Sequence, residues 1–140
     1  MSVSPSAPEG RTPTRLVRMR KILVIDRDPA WGPAIRLALE ESGYYLNLVT
    51  DPSEGFRREM ERAYDLVVVS SSVGAAGVRS VVDGRLRRSN PPAALVLADA
   101  AAAPAEKRLI VLRRGCDLKE IVDAAQTLIG VPWTDHKKGA

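Results

Sequence analysis

The residues able to do chemistry in this chain collect at the ends of short apolar runs. Lys21-Ile22-Leu23-Val24-Ile25 leads into Asp26, Arg27 and Asp28, and Leu66-Val67-Val68-Val69 leads into Ser70, Ser71 and Ser72. A fourth run ends at Ala98, and Leu109-Ile110-Val111-Leu112 leads into Arg113, Arg114, Gly115 and Cys116. A carboxylate can hold a hard cation, whereas a serine hydroxyl is a weak nucleophile unless a base activates it. Arg27 and Arg114 near Asp26 suggest either a small anion site or an internal ion pair. The pair is the expected reading, because arginine readily makes bidentate contacts with carboxylates. Ser70-Ser71-Ser72 offers hydroxyls to a serine kinase or is simply a loop of small polar residues. Cys116, beside Arg113 and Arg114, would have a lowered pKa if exposed; the alternative is a small apolar residue at a helix start. The sequence holds no Gly-rich phosphate loop, Ser/His/Asp set or metal-ligand spacing, and Cys116 lies far from the lone His136. No enzyme activity, cofactor or bound metal is therefore expected.

The elements that must position these residues follow from the hydrophobic pattern. Residues 21–26, 44–49, 66–70, 94–98 and 109–112 are short apolar runs of the kind that form buried strands. Between them lie helix signals. Asp28 and Pro29 suit an N-cap and first helical position, and the helix runs to about Ser42 before Gly43. Pro33 makes the first turn irregular or delays the start. Asp51-Pro52-Ser53-Glu54 opens a second helix to about Ala63, with Phe56, Met60 and Ala63 on one face. A basic helix over about 78–88 carries Arg79, Arg85, Arg87 and Arg88, whose arginines are expected at a solvated helix end. Asp117-Leu118-Lys119-Glu120 opens a final helix with an apolar stripe from Leu118 to Ile129, and Trp133 is placed to close its last turn. Strands alternating with helices predict an α/β fold, a doubly wound five-stranded parallel sheet of flavodoxin-like order 2-1-3-4-5. The alanine-rich stretch 99–107 is short, so the helix between strands 4 and 5 is expected to be short or missing.

The first-strand motif ending Asp26-Arg27-Asp28-Pro29, the third-strand motif Asp65-Leu66-Val67-Val68-Val69-Ser70 and the Gly43-Tyr44 pair appear in this order over residues 20–131. In that order and spacing they resemble the receiver domain of bacterial two-component response regulators. The resemblance implies a site with an acidic pair after strand 1, a phosphoacceptor aspartate after strand 3, a hydroxyl residue after strand 4 and a lysine after strand 5. Asp26 matches the first acid. Arg27 stands for the second, Ser70 for the phosphoacceptor, Ala98 for the hydroxyl residue and Arg114 for the lysine. Gly115 takes the place of a proline, and Val111 that of an aromatic that reports the switch. Asp28 could replace a lost acid but is the natural helix cap. The degenerate phosphorylation pocket is thus Asp26, Arg27, Asp28, Ser70, Ala98 and Arg114. With Ser70 neutral, Asp26, Arg27 and Arg114 leave it mildly cationic, which ill suits Mg²⁺.

Composition limits the remaining readings. A length of 140 residues suits one domain, and the 45% apolar and 27% charged fractions are ordinary for a globular protein. The single cysteine excludes an internal disulfide framework and fits a reducing cytoplasm. No apolar run approaches the ~18 residues of a membrane span, and the N-terminus lacks the apolar core of a secretory signal. The net charge of +4 belongs to the ends of the chain: residues 22–131 carry −1, and the excess sits mainly in Arg11, Arg15, Arg18, Arg20 and Lys21. Residues 1–20 are expected to be a disordered basic arm, 21–131 the receiver-like domain and 132–140 a C-terminal tail. The expected function is that of a stand-alone, pseudo-receiver signalling module, cytoplasmic and bacterial, acting by phosphorylation-independent contact with a signalling protein or as a homodimer. The alternative is a nucleic-acid-associated regulator that uses the basic arm and helix 3.

Overall fold

In a computed structural model the chain is described over residues 20–61, 64–100, 102, 103 and 106–131. The basic residues Arg11, Arg15 and Arg18, the tail 132–140, Trp133 and the Phe56–Met60–Ala63 helix face lie outside the described residues and side chains. Among the described residues ten elements follow in order: β1 (Lys21–Ile25), α1 (Trp31–Glu41), β2 (Tyr45–Val49), α2 (Pro52–Glu61), β3 (Leu66–Ser70), a 3₁₀ turn (Ser71–Val73), α3 (Ala75–Arg85), β4 (Ala93–Ala98), β5 (Leu109–Arg113) and α4 (Leu118–Ile129). The strands form one parallel sheet of order β2-β1-β3-β4-β5. This is the predicted arrangement.

Strand side chains alternate between two faces, so each strand feeds two cores. Ile22, Val24, Leu66, Val68, Leu95 and Leu97 pack with Ile35 and Leu39 of α1 and Ile121 and Ala125 of α4. Leu23, Ile25, Val67, Val69 and Val96 form the opposite core with Val73 and with Val81 of α3. Burial of such side chains is worth about 1.5–3 kcal/mol each, which is what a sheet with apolar residues on both faces needs. The helix α2 comes close to β1 because Gly55 has no side chain there; a Cβ would lie 2.4 Å from the Ile25 Cδ1. The Glu120 carboxylate accepts the N–H of Asp117 at 3.3 Å and fixes the start of α4.

Two helices differ from the sequence-based expectation. The helix α1 begins at Trp31 rather than Pro29, a delayed start of the kind Pro33 allowed. Asp28 spans the gap: its Oδ1 accepts the N–H of Ala30 at 2.9 Å and of Trp31 at 3.0 Å. Pro33 then falls at the third helical position, where its missing N–H breaks no intrahelical bond. The helix α3 covers Ala75–Arg85 rather than 78–88, because it starts directly after Gly74, whose φ of +88° ends the 3₁₀ turn. The arginines of this region are also placed differently. Arg87 and Arg88 follow the helix, and Arg85 is 2% exposed rather than solvated. Arg85 Nη1 donates to the Pro92 carbonyl at 3.2 Å, and Nη2 lies 3.1 Å from a Glu106 carboxylate oxygen.

Among the described residues no helix joins β4 to β5. The connection instead makes an isolated antiparallel bridge from Ala102 to Val111, and Arg108 enters β5 with φ +63° while its Nη1 donates to Pro91. No helix among the described residues is long and apolar enough to cross a membrane.

Candidate functional site

The carboxyl ends of β1, β3, β4 and β5 converge on one end of the sheet, where ligand sites of such folds form. Asp26 follows β1 and is 1% exposed. Its Oδ1 accepts two hydrogen bonds, from the Ser72 hydroxyl at 2.7 Å and from the Asp28 N–H at 2.9 Å. Its Oδ2 is buried with no hydrogen-bond partner among the described residues. The same Ser72 hydroxyl accepts the N–H of Arg27 at 2.9 Å, so one serine closes the strand end from both sides. Ser70 is fully buried, and its hydroxyl accepts the N–H of Ser72 at 3.1 Å, capping the 3₁₀ turn. Ser71 donates to Asp99 at 3.1 Å.

The expected ion pair with Asp26 does not form. Arg27 is exposed and its Nε donates to the Thr50 carbonyl at 3.2 Å, since the side chain leaves the strand end on the side of β2. Arg114 pairs with Asp28, Nη2 to Oδ2 at 3.4 Å. Asp26 is buried away from both guanidinium groups and is held instead by the Ser72 hydroxyl and the Asp28 N–H. The N–H groups of Trp31 and Ala30, then Arg114, hold the Asp28 carboxyl below its ordinary pKa. Ala98 contributes its carbonyl, which accepts the Arg114 N–H at 2.6 Å. Gly115 has φ +88°, a conformation that strains any other L residue, so the position expected to be a substituted proline is a glycine turn. Cys116 follows the apolar alternative: burial, helped by Glu120, pushes its thiol pKa up, outweighing Arg113.

Of the six pocket positions, the structure brings Asp28 and Arg114 together in an open cavity of about 520 Å³ that Trp31, Asp99 and Gly115 also line. Asp26 and Ser70 lie buried beneath it, Arg27 points away, and Ala98 is half-buried. The described end of the basic arm, Arg20 and Lys21, lies at the amino end of β1, opposite the pocket, where the Lys21 N–H bonds Asp65 at 2.8 Å. Sequence reasoning missed Ser72, Trp31, Asp99 and the buried Arg85. For Ser72 a signal existed: a hydroxyl two residues past a strand that neighbours Asp26.

A hard dication such as Mg²⁺ asks for several oxygen ligands, usually more than one carboxylate. These residues do not fit it. Asp26 has one free oxygen, Asp28 is committed to the start of α1 and to Arg114, and Arg27 and Ser70 supply no carboxylate. No group of three or more His, Cys, Asp or Glu among the described residues could hold a metal ion.

No protein-family profile matches the sequence, and no curated protein matches it. Solved structures do match in fold. A response regulator receiver domain protein from Bacillus halodurans superposes with a TM-score of 0.69 at 18% identity, over 79% of this chain and 97% of that one. A chemotaxis response regulator of Vibrio cholerae gives 0.68 at 13%, over 79% and 98%. A response regulator from Thermotoga maritima, solved in complex with Mg²⁺-BeF, covers 79% of this chain and 99% of its own at 18% identity. The fold is that of receiver domains.

Proposed function

We propose that this chain is a degenerate receiver-like signalling module that works by protein–protein contact and independently of aspartyl phosphorylation. One observation carries the reading. The position of the phosphoacceptor is Ser70, fully buried and used as a cap, while Asp26 is closed by the Ser72 hydroxyl. A buried hydroxyl whose oxygen already accepts a backbone N–H has no base to activate it and no open face for a phosphodonor. The module is not an enzyme in this reading, and its output passes through a signalling partner. The single cysteine and the bacterial origin of the structural neighbours support a bacterial cytoplasmic setting. The nucleic-acid reading loses one of its cations, since Arg85 is spent inside the fold.

Treatment with acetyl phosphate followed by intact mass measurement tests this. The mass should stay unchanged, and a Mg²⁺ titration to millimolar concentration should leave the amide spectrum unmoved. An acid-labile phosphate on Asp26 or Asp28 would overturn the reading.

A further inference from the structure

Among the described residues no helix of the β4–β5 connection packs beside α3, and the sheet face there is only partly covered. Parallel sheets are normally covered on both faces, because βαβ crossovers lay helices across them. Here Val78 and Val82 of α3, Ala98 of β4 and Val111 of β5 are only partly buried at the rim of one core. With Val96, the first three line a groove of about 480 Å³ between α3 and β4. Ala102 of the connection bridges Val111 and does not line the groove.

The groove has direction and charge. The helix α3 descends from Ala75, beside the carboxyl ends of the strands, to Asp83 nearer their amino ends. Ala75 to Asp83 spans about 12 Å at 1.5 Å per residue. At the upper end stands Asp99, and at the lower end Asp83; Arg79 lies on the wall between them. All three are exposed, and Arg79 and Asp83 make no ion pair with each other. An occupant therefore needs an apolar face for the floor, a cation toward each end and room for an anion between. A helix of about three turns meets those needs, because residues at i, i+3 or i+4 and i+7 share a face and about two turns match the length of the α3 wall from Ala75 to Asp83.

We propose that the groove between α3 and β4 docks an amphipathic helix of a partner protein, with basic residues about two turns apart that meet Asp99 and Asp83. The inference rests on the phosphorylation-independent reading, and it names the partner chemistry. It places in trans the helix that the chain does not supply in cis. Exposed ion pairs contribute modestly to affinity but set orientation and reject the wrong sign.

The test uses a fluorescent synthetic helix of about 14 residues, with leucine on one face and lysines two turns apart on its flank. A twin carries glutamate in place of both lysines. Binding is followed by anisotropy and by amide shifts in the full chain. The lysine peptide should saturate and move the amides of Val78, Val82, Val96 and Ala98, with the glutamate peptide at least about tenfold weaker. Asp83→Lys with Asp99→Lys should invert that preference. Ala75→Arg, at the exposed first position of α3, should block both peptides without disturbing the core. Failure of either peptide to saturate, or an unchanged preference in the charge-reversed variant, overturns the proposal. So does concentration-dependent self-association through these same amides, which would make a second copy the occupant. Beryllofluoride with Mg²⁺ in the same spectra separates the two readings. Shifts at Asp26 and Ser70 would sink the phosphorylation-independent module whatever the groove does. Silence there with no peptide binding sinks only the groove.

Discussion

Ser72→Ala should cost far more stability than Arg27→Ala, although Arg27 is the larger and charged side chain. Ser72 donates at 2.7 Å to a carboxylate that is 1% exposed, and its oxygen also accepts the Arg27 N–H. A hydrogen bond to a charged group contributes about 1.5–3 kcal/mol, and leaving a buried carboxylate oxygen short of a donor approaches the upper half of that range. The second bond is at an exposed N–H that water can satisfy, so it adds little. The expected loss is about 2–3 kcal/mol. Arg27 makes one exposed contact to the Thr50 carbonyl, and Arg27→Ala should fall within about 0.5 kcal/mol of the parent. Urea unfolding resolves the two. With a slope of about 2 kcal/mol per molar urea for a domain of this size, Ser72→Ala should lower the midpoint by about 1 M and leave the slope unchanged. In an Asp26→Asn background the same serine substitution should cost about half as much or less, because the acceptor is no longer charged. If Ser72→Ala unfolds with the parent, or if Arg27→Ala proves the costlier change, then Ser72 does not hold Asp26 and the site is not closed in this way.

Three further outcomes are expected. Arg85→Ala should destabilise by about 1–3 kcal/mol by denaturant melts, since it leaves the buried Pro92 carbonyl without its donor, whereas the exposed Arg87→Ala should be near neutral. The Asp28 carboxyl is held below its ordinary value of 3.8, so its stabilisation is complete above that pH and lost as the pH falls below it; Asp28→Asn should flatten this acid limb of the urea midpoint against pH. Burial pushes the Tyr44 phenol up to about 12, so the fold should lose stability as the pH rises from 10 toward 12, and Tyr44→Phe, which removes the bond to the Gly130 carbonyl, should abolish that loss at a cost of about 1 kcal/mol, read by absorbance titration and melts.

The sheet was legible because its strands are runs of β-branched and aliphatic residues separated by turn signals, and because right-handed crossovers leave few orders for five parallel strands. That no helix joins β4 to β5 among the described residues was legible from the shortness of the 99–107 stretch. The side-chain partners were less so. Arg85 carries the same local signal as Arg87 and Arg88, a cation near a helix end; what separates them is the helical phase that turns Arg85 inward toward Glu106. Asp26 and Ser72 are 46 residues apart, and their contact depends on β1 and β3 lying side by side with Ile25 opposite Val69. That adjacency was predicted, but the distance a side chain crosses at a strand end is a matter of tertiary geometry. The charge count around Asp26 failed for the same reason: it treated nearby arginines as partners, while depth decides which of them can reach.

The bridge of Ala102 to Val111 and the ion pair of Arg85 with Glu106 have a consequence for how this chain tolerates changes of length. Residues 99–108 carry the chain between two parallel strands, a crossover that ordinarily takes a dozen residues or more. Among the described residues of this short connection, Ala102, Glu106 and Arg108 are fastened to Val111, Arg85 and Pro91. Shortening the connection would therefore pull β5 away from β4 or tear out a fastening. Lengthening it is a different matter, for each doubling of a flexible loop costs only about 0.6 kcal/mol of closure entropy. The fold is thus open to insertion and closed to deletion at this one place, and an inserted helix would come to rest over its own groove and shut it.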